Sequence, residues 1–261
     1  EKFTLDIEDV KRKITPNTKA IMPVQILGRI ADMEKLNELA EKHNLTIIED
    51  AAPCIGSTHN GVNLGTIGKL GCFSLQANKI ISCGQGGFIV TNDKEYYEEM
   101  MRIKNFGRVT NKEPLHSKVG YNLKFNDIQA AVVLGQLNRL EERKKLVISQ
   151  WKKYYQELFN IPEIKFPKIN LFEGTIPSYV DVMVENRKQL VEFLNSKNIF
   201  PRECWEPLHR NPPYQNQGSD KDFPNSVEIA DKTLWLPNGP SITLEDVSIV
   251  CEAVKEFYNN L

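Results

Sequence analysis

The feature that most constrains the fold is a strand, helix, strand pattern within the first fifty residues. Residues 19–24 form a short apolar run, and residues 33–40 place apolar side chains at helical spacing behind Asp32, which suits a helix N-cap. Residues 45–48 are apolar again. Two strands joined by one helix pair in parallel through a right-handed crossover. The sequence therefore predicts an α/β fold with a mainly parallel sheet.

The chain is predicted to divide into three parts. Residues 1–125 would form most of a large domain, with further strands at 71–75 and 87–91. Residues 126–160 would form one long connecting helix or two joined helices, and residues 161–261 a smaller α+β domain. Capping-box spacing predicts helix starts at Asn126 with Gln129 and at Thr243 with Asp246.

Composition excludes several classes of protein. The 33 basic and 34 acidic residues nearly balance, which argues against a nucleic-acid or membrane-surface binder. Five dispersed cysteines without a C-x-x-C pair predict free thiols in a reducing compartment and no metal site. No apolar run has the length of a membrane span and no signal peptide opens the chain, so we expect a cytoplasmic location.

Three side chains in the first domain suggest a cofactor site. Asp50 follows a predicted buried strand, where ligands collect in an open parallel sheet, and Ser74 precedes Lys79 ahead of a glycine-rich turn at 84–87. A pyridoxal-phosphate site needs a lysine for a Schiff base, a carboxylate for the pyridine nitrogen and donors for the phosphate. Other roles remain open from these residues alone. A lone lysine before a turn is usually a surface residue, and an aspartate after a strand is as often a cap.

An ordered set of motifs resembles a known family through nearly the whole chain. Its parts are IEDAA at 48–52, GTIG at 65–68, FS at 73–74 with Lys79, GQGG at 84–87, GYN at 120–122 with DIQAA at 127–131, and PLH at 207–209. This order resembles the DegT-type sugar-nucleotide aminotransferases, which are fold-type I pyridoxal-phosphate enzymes. Asn78-Lys79 and the PPY of 212–214 look most like the GDP-perosamine synthase branch.

The resemblance implies roles for five residues. Lys79 would be the Schiff-base and proton-transfer lysine, Asp50 would pair with the pyridine nitrogen, and Ser74 would bind the cofactor phosphate. Asn122 would reach the phosphate site of a neighbouring subunit, which implies a homodimer with shared active sites, and His209 would contact the sugar nucleotide. On the residues alone, a turn or cap role for Asn122 and a satisfied loop histidine at 209 are equally compatible with the sequence.

The function implied by the resemblance is transfer of an amino group from glutamate to a nucleotide-linked 4-keto-6-deoxy sugar, as in perosamine-type and O-antigen polysaccharide synthesis. Two alternatives stay open. A sugar dehydratase of the same fold is one, although such relatives tend to replace the lysine with histidine. A cofactor-free binding or regulatory remnant is the other, because relatives carry a long segment upstream of the residue that matches Glu1, so we expect either a fragment or a large domain that is incomplete at its N-terminus.

Overall fold

A computed structural model describes residues 3–110, 112, 114–171 and 174–261. The chain divides into two compact units. One contains Thr4–Glu141 together with residues 174–176, and the other contains Glu142–Leu171 and Pro177–Leu261. The three-part division at residues 125 and 160 stays a prediction.

The first unit is built on a four-stranded sheet in the order β1-β2-β5-β6. Its strands are β1 Ala20–Ile21, β2 Thr46–Asp50, β5 Leu70–Ser74 and β6 Gly87–Val90, and a separate hairpin is formed by β3 Thr58–His59 and β4 Val62–Asn63. β1, β2 and β5 are parallel, which confirms the predicted mainly parallel sheet. β6 runs antiparallel to β5, with Ser74 opposite Gly87.

The helices of this unit are α1 Ile7–Lys13, α2 Met33–His43, α3 Lys94–Lys104 and α4 Asp127–Leu137. The Asp32 carboxylate caps α2 by accepting a hydrogen bond from the Lys35 amide at 3.2 Å. The apolar face of α2 packs against Ile21 of β1 and Ile47 of β2, forming the core on this side of the sheet. This packing holds the two strands side by side, and their carboxyl ends therefore share one edge of the sheet.

The predicted helix start at Asn126 is confirmed, but the predicted capping box is only half formed. The Asn126 side chain accepts from the Gln129 amide at 2.9 Å. The Gln129 side chain does not return to the cap and instead donates to the Gln85 carbonyl at 2.7 Å. The continuous apolar pattern that follows is two helices, because α4 ends at Leu137 and α5 spans Leu140–Leu158.

The second unit is an antiparallel sheet covered by helices. Its strands, in the order β7-β8-β10-β9, are β7 Ile164–Lys165, β8 Val180–Val184, β10 Thr233–Leu236 and β9 Arg202–Glu203, and its helices are α6 Arg187–Ser196, α7 Pro224–Lys232, α8 Leu244–Asn259 and most of α5. β8 and β10 are almost fully buried and form the centre of the core. The predicted capping box at the start of α8 is complete, with Thr243 and Asp246 bonded in both directions.

Candidate active site

Asp50 ends β2 at the edge where the parallel strands open. Its amide donates to the Pro23 carbonyl at 2.9 Å, and its carbonyl accepts from the Gln25 amide at 3.0 Å, so the backbone is fixed by the segment that follows β1. The carboxylate accepts from the Ala52 amide at 3.1 Å. Ala51 is fully buried beside it. Asp50 is thus held at the end of its strand, with its side chain half-buried.

Glu49 is a buried carboxylate on the neighbouring position, and the sequence reasoning gave it no role. Its Oε1 accepts from the amides of Ile67 and Gly68, both at 2.7 Å, and its Oε2 accepts from the Gly65 amide at 2.8 Å. The Gln25 side-chain amide also donates to Oε2 at 3.0 Å. A carboxylate that accepts several amide hydrogens is strongly stabilised when buried. Glu49 therefore ties the 65–68 loop to β2. An acidic residue inside an apolar strand pattern was the available signal.

Lys79 lies in the segment between β5 and β6, and its pKa is lowered. Burial is the main cause, because partial desolvation disfavours the ammonium form, and the negative charge of Asp50 opposes the shift. The two predicted residues are therefore close enough to interact electrostatically. A lysine with a lowered pKa more readily presents a neutral amine, which is the form that attacks a carbonyl and accepts a proton.

Ser74 ends β5 next to the strand that carries Asp50. Ser74 Oγ accepts from the Gln76 amide at 3.3 Å, and among the residues that the structure describes none accepts its hydroxyl hydrogen, which could therefore be donated to a ligand. Asp50 pairs with Cys72 in the β2–β5 register, which puts Ser74 beyond it in the strand direction. The structure thus places Asp50 and Ser74 at the same end of two adjacent parallel strands, and Lys79 on the loop that follows the second of them.

Asn122 lies in the same unit, on an exposed segment held against the end of α3. It forms an isolated antiparallel bridge with Asn105, and the neighbouring amides of Tyr121 and Leu123 donate to the carbonyls of Ile103 and Lys104 at 2.7 and 3.2 Å. The backbone is therefore fixed while Asn122 itself is exposed. The structure shows no contact from Asn122 to the other predicted site residues, among those it describes.

His209 belongs to the second unit and is engaged within it. Its Nε2 lies 2.8 Å from the Asp220 carboxylate, and its ring stacks on Phe223 at 4.7 Å. Arg210 binds the same aspartate, and the hydrogen bonds from Arg210 and then from His209 lower the pKa of Asp220 to about 2. His209 therefore packs as a satisfied loop histidine, and a contact with substrate stays a prediction.

The part of the chain that the structure describes contains neither a metal-ligand cluster nor a helix suited to span a membrane. No group of three or more His, Cys, Asp or Glu side chains is placed to hold a metal ion there. None of the helices in the described ranges combines the length and apolar character that a membrane crossing requires.

The chain is similar to sugar aminotransferases of known sequence and structure. GDP-perosamine synthase of Escherichia coli O157:H7 is 33% identical over 263 residues, covering 100% of this chain and 71% of that protein. The dTDP-3-amino-3,4,6-trideoxy-alpha-D-glucose transaminase of Streptomyces venezuelae is 30% identical over 257 residues, covering 97% of this chain and 67% of that protein. The crystal structure of S. venezuelae DesV in complex with a ketimine intermediate superposes with a TM-score of 0.93 at 30% identity, covering 99% of this chain and 70% of that one.

The residues at the sheet edge fit the pyridoxal phosphate that such aminotransferases use. A half-buried amine with a lowered pKa interacts with a carboxylate, and the hydroxyl of Ser74 ends the next strand. These are the groups that this cofactor needs for its aldehyde, ring nitrogen and phosphate. A family model matches residues 1–255, which is nearly the whole sequence. The chain therefore belongs to the DegT/DnrJ/EryC1/StrS aminotransferase family.

Proposed function

We propose that this aminotransferase transfers an amino group from glutamate to a nucleotide-linked 4-keto-6-deoxy sugar. The observation that carries the proposal is the register of β2 and β5, which puts Asp50 and Ser74 at the same strand ends, with Lys79 on the loop that follows β5. The similar proteins named as GDP-perosamine synthase and as a dTDP-amino-sugar transaminase support a nucleotide-sugar acceptor. Synthesis of perosamine-type amino sugars for O-antigen and other polysaccharides follows as the biological context.

Three side chains divide the work of the reaction. Bound pyridoxal phosphate supplies an electron sink for the carbon that loses its proton. Lys79 Nζ would hold the cofactor covalently. Once the amino group of the donor had displaced it, the free amine would take a proton from the substrate carbon and return it to the other end of the conjugated system, a role that its lowered pKa favours. The Asp50 carboxylate would keep a proton on the ring nitrogen, and the Ser74 hydroxyl would donate to the phosphate.

Asn122 is the residue that we propose to act in the active site of a second subunit. Its exposed side chain on a fixed backbone is suited to reach out of its own protomer, so we propose that it donates to the phosphate site of the partner in a homodimer. An apolar surface supports self-association. Its exposed side chains, on the 115–137 segment, are Leu115, Val119, Leu123, Ile128, Val132, Leu134 and Leu137.

The remaining assignments concern substrate and compartment. We propose that His209 borders the sugar-nucleotide site through the loop it stabilises with Asp220. We also propose a cytoplasmic location. The five cysteines are all free, which is compatible with that reducing compartment.

The experiment that tests the proposal locates the covalent bond. The purified chain is incubated with pyridoxal phosphate, reduced with borohydride and digested, and the labelled peptide is identified by mass spectrometry. We expect a visible absorbance band before reduction and the label on Lys79. In Lys79→Ala both should disappear, and transamination should fall by roughly 10²–10⁴-fold or more. The control is Lys42→Ala, at an exposed helix position. A label elsewhere, or an unchanged band in Lys79→Ala, overturns the assignment.

The acceptor is tested separately with glutamate as donor. GDP-linked and dTDP-linked 4-keto-6-deoxy sugars are offered in parallel, and the amino-sugar product is detected by mass spectrometry. Product from either sugar supports the nucleotide-sugar class, and the ratio of kcat/KM values identifies the nucleotide. Transamination of simple 2-oxo acids with neither sugar accepted would contradict the proposed substrate.

A further inference from the structure

The segment that carries Lys79 is a closed loop between β5 and β6. The Leu75 amide donates to the Gly86 carbonyl at 2.9 Å, and the Cys83 amide donates to the Leu75 carbonyl at 3.0 Å. Within the loop, the Lys79 amide donates to the Gln76 carbonyl at 3.0 Å. The first two hydrogen bonds join the two ends of the loop, and the third closes a turn within it. They do not attach the loop to anything outside it, so the position of Lys79 depends on further contacts.

Two glutamines of α4 supply such contacts. Gln136 makes a paired interaction with Ser82: its Nε2 donates to the Ser82 carbonyl at 2.7 Å, and its Oε1 accepts from the Ser82 amide at 3.0 Å. Gln129 donates to the Gln85 carbonyl at 2.7 Å. The two glutamines are two helical turns apart and so project from one face of α4.

We infer that Gln129 and Gln136, here called the amide clamp, are positioning residues that hold the lysine loop so that Lys79 stays partly desolvated beside Asp50. The inference rests on the proposed role of Lys79. Gln136 is the stronger member, because its amide satisfies both backbone groups of Ser82, three residues beyond Lys79. Ile81, which lies between Lys79 and Ser82, is buried to 1% exposure, so the same segment also carries a fully buried apolar side chain.

The clamp is specific to a neutral amide. In Gln136→Ala both backbone groups of Ser82 lose their partner. In Gln136→Glu the acceptor for the Ser82 amide is kept, but a carboxylate oxygen then faces the Ser82 carbonyl where a donor stood. Both variants should loosen the loop, and the glutamate variant does so at almost unchanged side-chain volume. Gln129→Ala removes a single hydrogen bond and should act in the same direction with a smaller effect.

The first test measures the loop in the full chain, with and without pyridoxal phosphate. Backbone hydrogen exchange of residues 80–83 is compared among wild type, Gln136→Ala, Gln136→Glu and Gln129→Ala. Alkylation of Cys83, followed by peptide mapping, reports the same opening, since burial raises the pKa of Cys54, Cys72, Cys204 and Cys251 and slows their reaction. We expect both rates to rise at least about fivefold in the Gln136 variants. Gln189→Ala, at an exposed position on α6, is the matched control.

The second test separates positioning from a purely structural role. Loosening the loop exposes Lys79 to water, so its pKa should rise and the lysine limb of the kcat pH profile should move to higher pH. The kcat should fall at least about tenfold, with little change in KM for the sugar nucleotide. Unchanged exchange in the Gln136 variants would overturn the clamp. Faster exchange with an unchanged kcat and an unchanged lysine limb of the pH profile would show that the amide clamp is only a structural contact, and would overturn its positioning role. Loss of the borohydride label from wild-type Lys79 would instead overturn the proposed function, leaving the exchange result unaffected.

Discussion

At the scale of single residues, the candidate site combines side chains with reactive or charged groups and a buried carboxylate, that of Glu49, which braces the 65–68 loop. Asp50, Ser74 and Lys79 could be selected because a strand end and a glycine turn mark where ligands collect, and the structure places Asp50 and Ser74 at one edge of the sheet, with Lys79 on the loop that follows β5. Glu49 was missed because its partners are backbone amides of a loop, whose path no local pattern fixes. The sequence therefore predicted the candidate ligand-facing groups, whose roles stay a prediction, and did not predict the carboxylate that braces the loop beside them.

The lowered pKa of Lys79 predicts a pH-dependent stability difference in the cofactor-free protein. Its ammonium form is disfavoured in the fold, so the unfolded chain binds more protons between the lowered pKa and the ordinary value of 10.5. The free energy of unfolding of wild type should rise with pH across that window. In Lys79→Met this rise should be absent, so the stability advantage of the variant should be largest below the lowered pKa and shrink as the pH rises through it towards 10.5.

Urea unfolding of wild type and Lys79→Met, at a series of pH values between about 7 and 10.5, measures that difference. Lys42→Met, at an exposed position, should show no comparable trend. A stability difference that stays constant across the series would show that Lys79 is fully hydrated in the folded protein.

Removing the Glu49 carboxylate should destabilise the first unit strongly. Glu49→Ala leaves the amides of Gly65, Ile67 and Gly68 without their acceptor. Each buried unsatisfied donor costs about 1–3 kcal/mol, so we expect a loss of about 3 kcal/mol or more in the free energy of unfolding, and about half as much in Glu49→Gln. Urea unfolding measures both, with the exposed Glu41→Ala as control. Near-wild-type stability in Glu49→Ala would mean that water replaces the carboxylate.

At the scale of elements, signals that lie next to each other in sequence were confirmed and signals that depend on distant partners were not. The Thr243 and Asp246 capping box needs only four residues, and it formed as predicted. Gln129 has the same spacing from Asn126, but a carbonyl of the lysine loop competes for its side chain. The antiparallel direction of β6 was likewise unreadable, because the same alternating pattern suits either direction.

The approach of β5 to the 65–68 loop predicts that Gly71 tolerates no side chain. A Cβ on Gly71 would lie 1.7 Å from the Gly65 carbonyl oxygen, so the loop would have to move away from Glu49. Gly71→Ala should cost about 3 kcal/mol or more in the free energy of unfolding. Gly135→Ala, where a Cβ meets open space within α4, should instead stabilise the chain by about 0.5–1 kcal/mol. Equal stabilities of the two variants would contradict the packing seen at β5.

At the scale of the whole molecule, the fold class followed from one strand, helix, strand unit, while the surfaces that join molecules did not follow from any local pattern. The apolar pattern of 128–137 predicted a helix, but could not show which side is buried. In the structure α4 has no buried residue, and Ile128 and Leu134 are 80% and 62% exposed. Such a surface is characteristic of a helix that packs against another chain.

This surface predicts how the proposed homodimer can be broken. Ile128→Glu places a charge on the exposed apolar side of α4, away from the face that carries Gln129 and Gln136, so the protomer fold should persist while self-association weakens by about tenfold or more. Sedimentation equilibrium measures the change, and hydrogen exchange of residues 80–83 checks that the lysine loop is intact. Ile249→Glu, at a position on α8 that is 55% exposed, is the matched control and should leave association unchanged. If Ile128→Glu associates as wild type does, the dimer uses a different surface. If it associates less and also loses the pyridoxal-phosphate band, then pairing of the protomers completes the cofactor site, as the proposed reach of Asn122 requires.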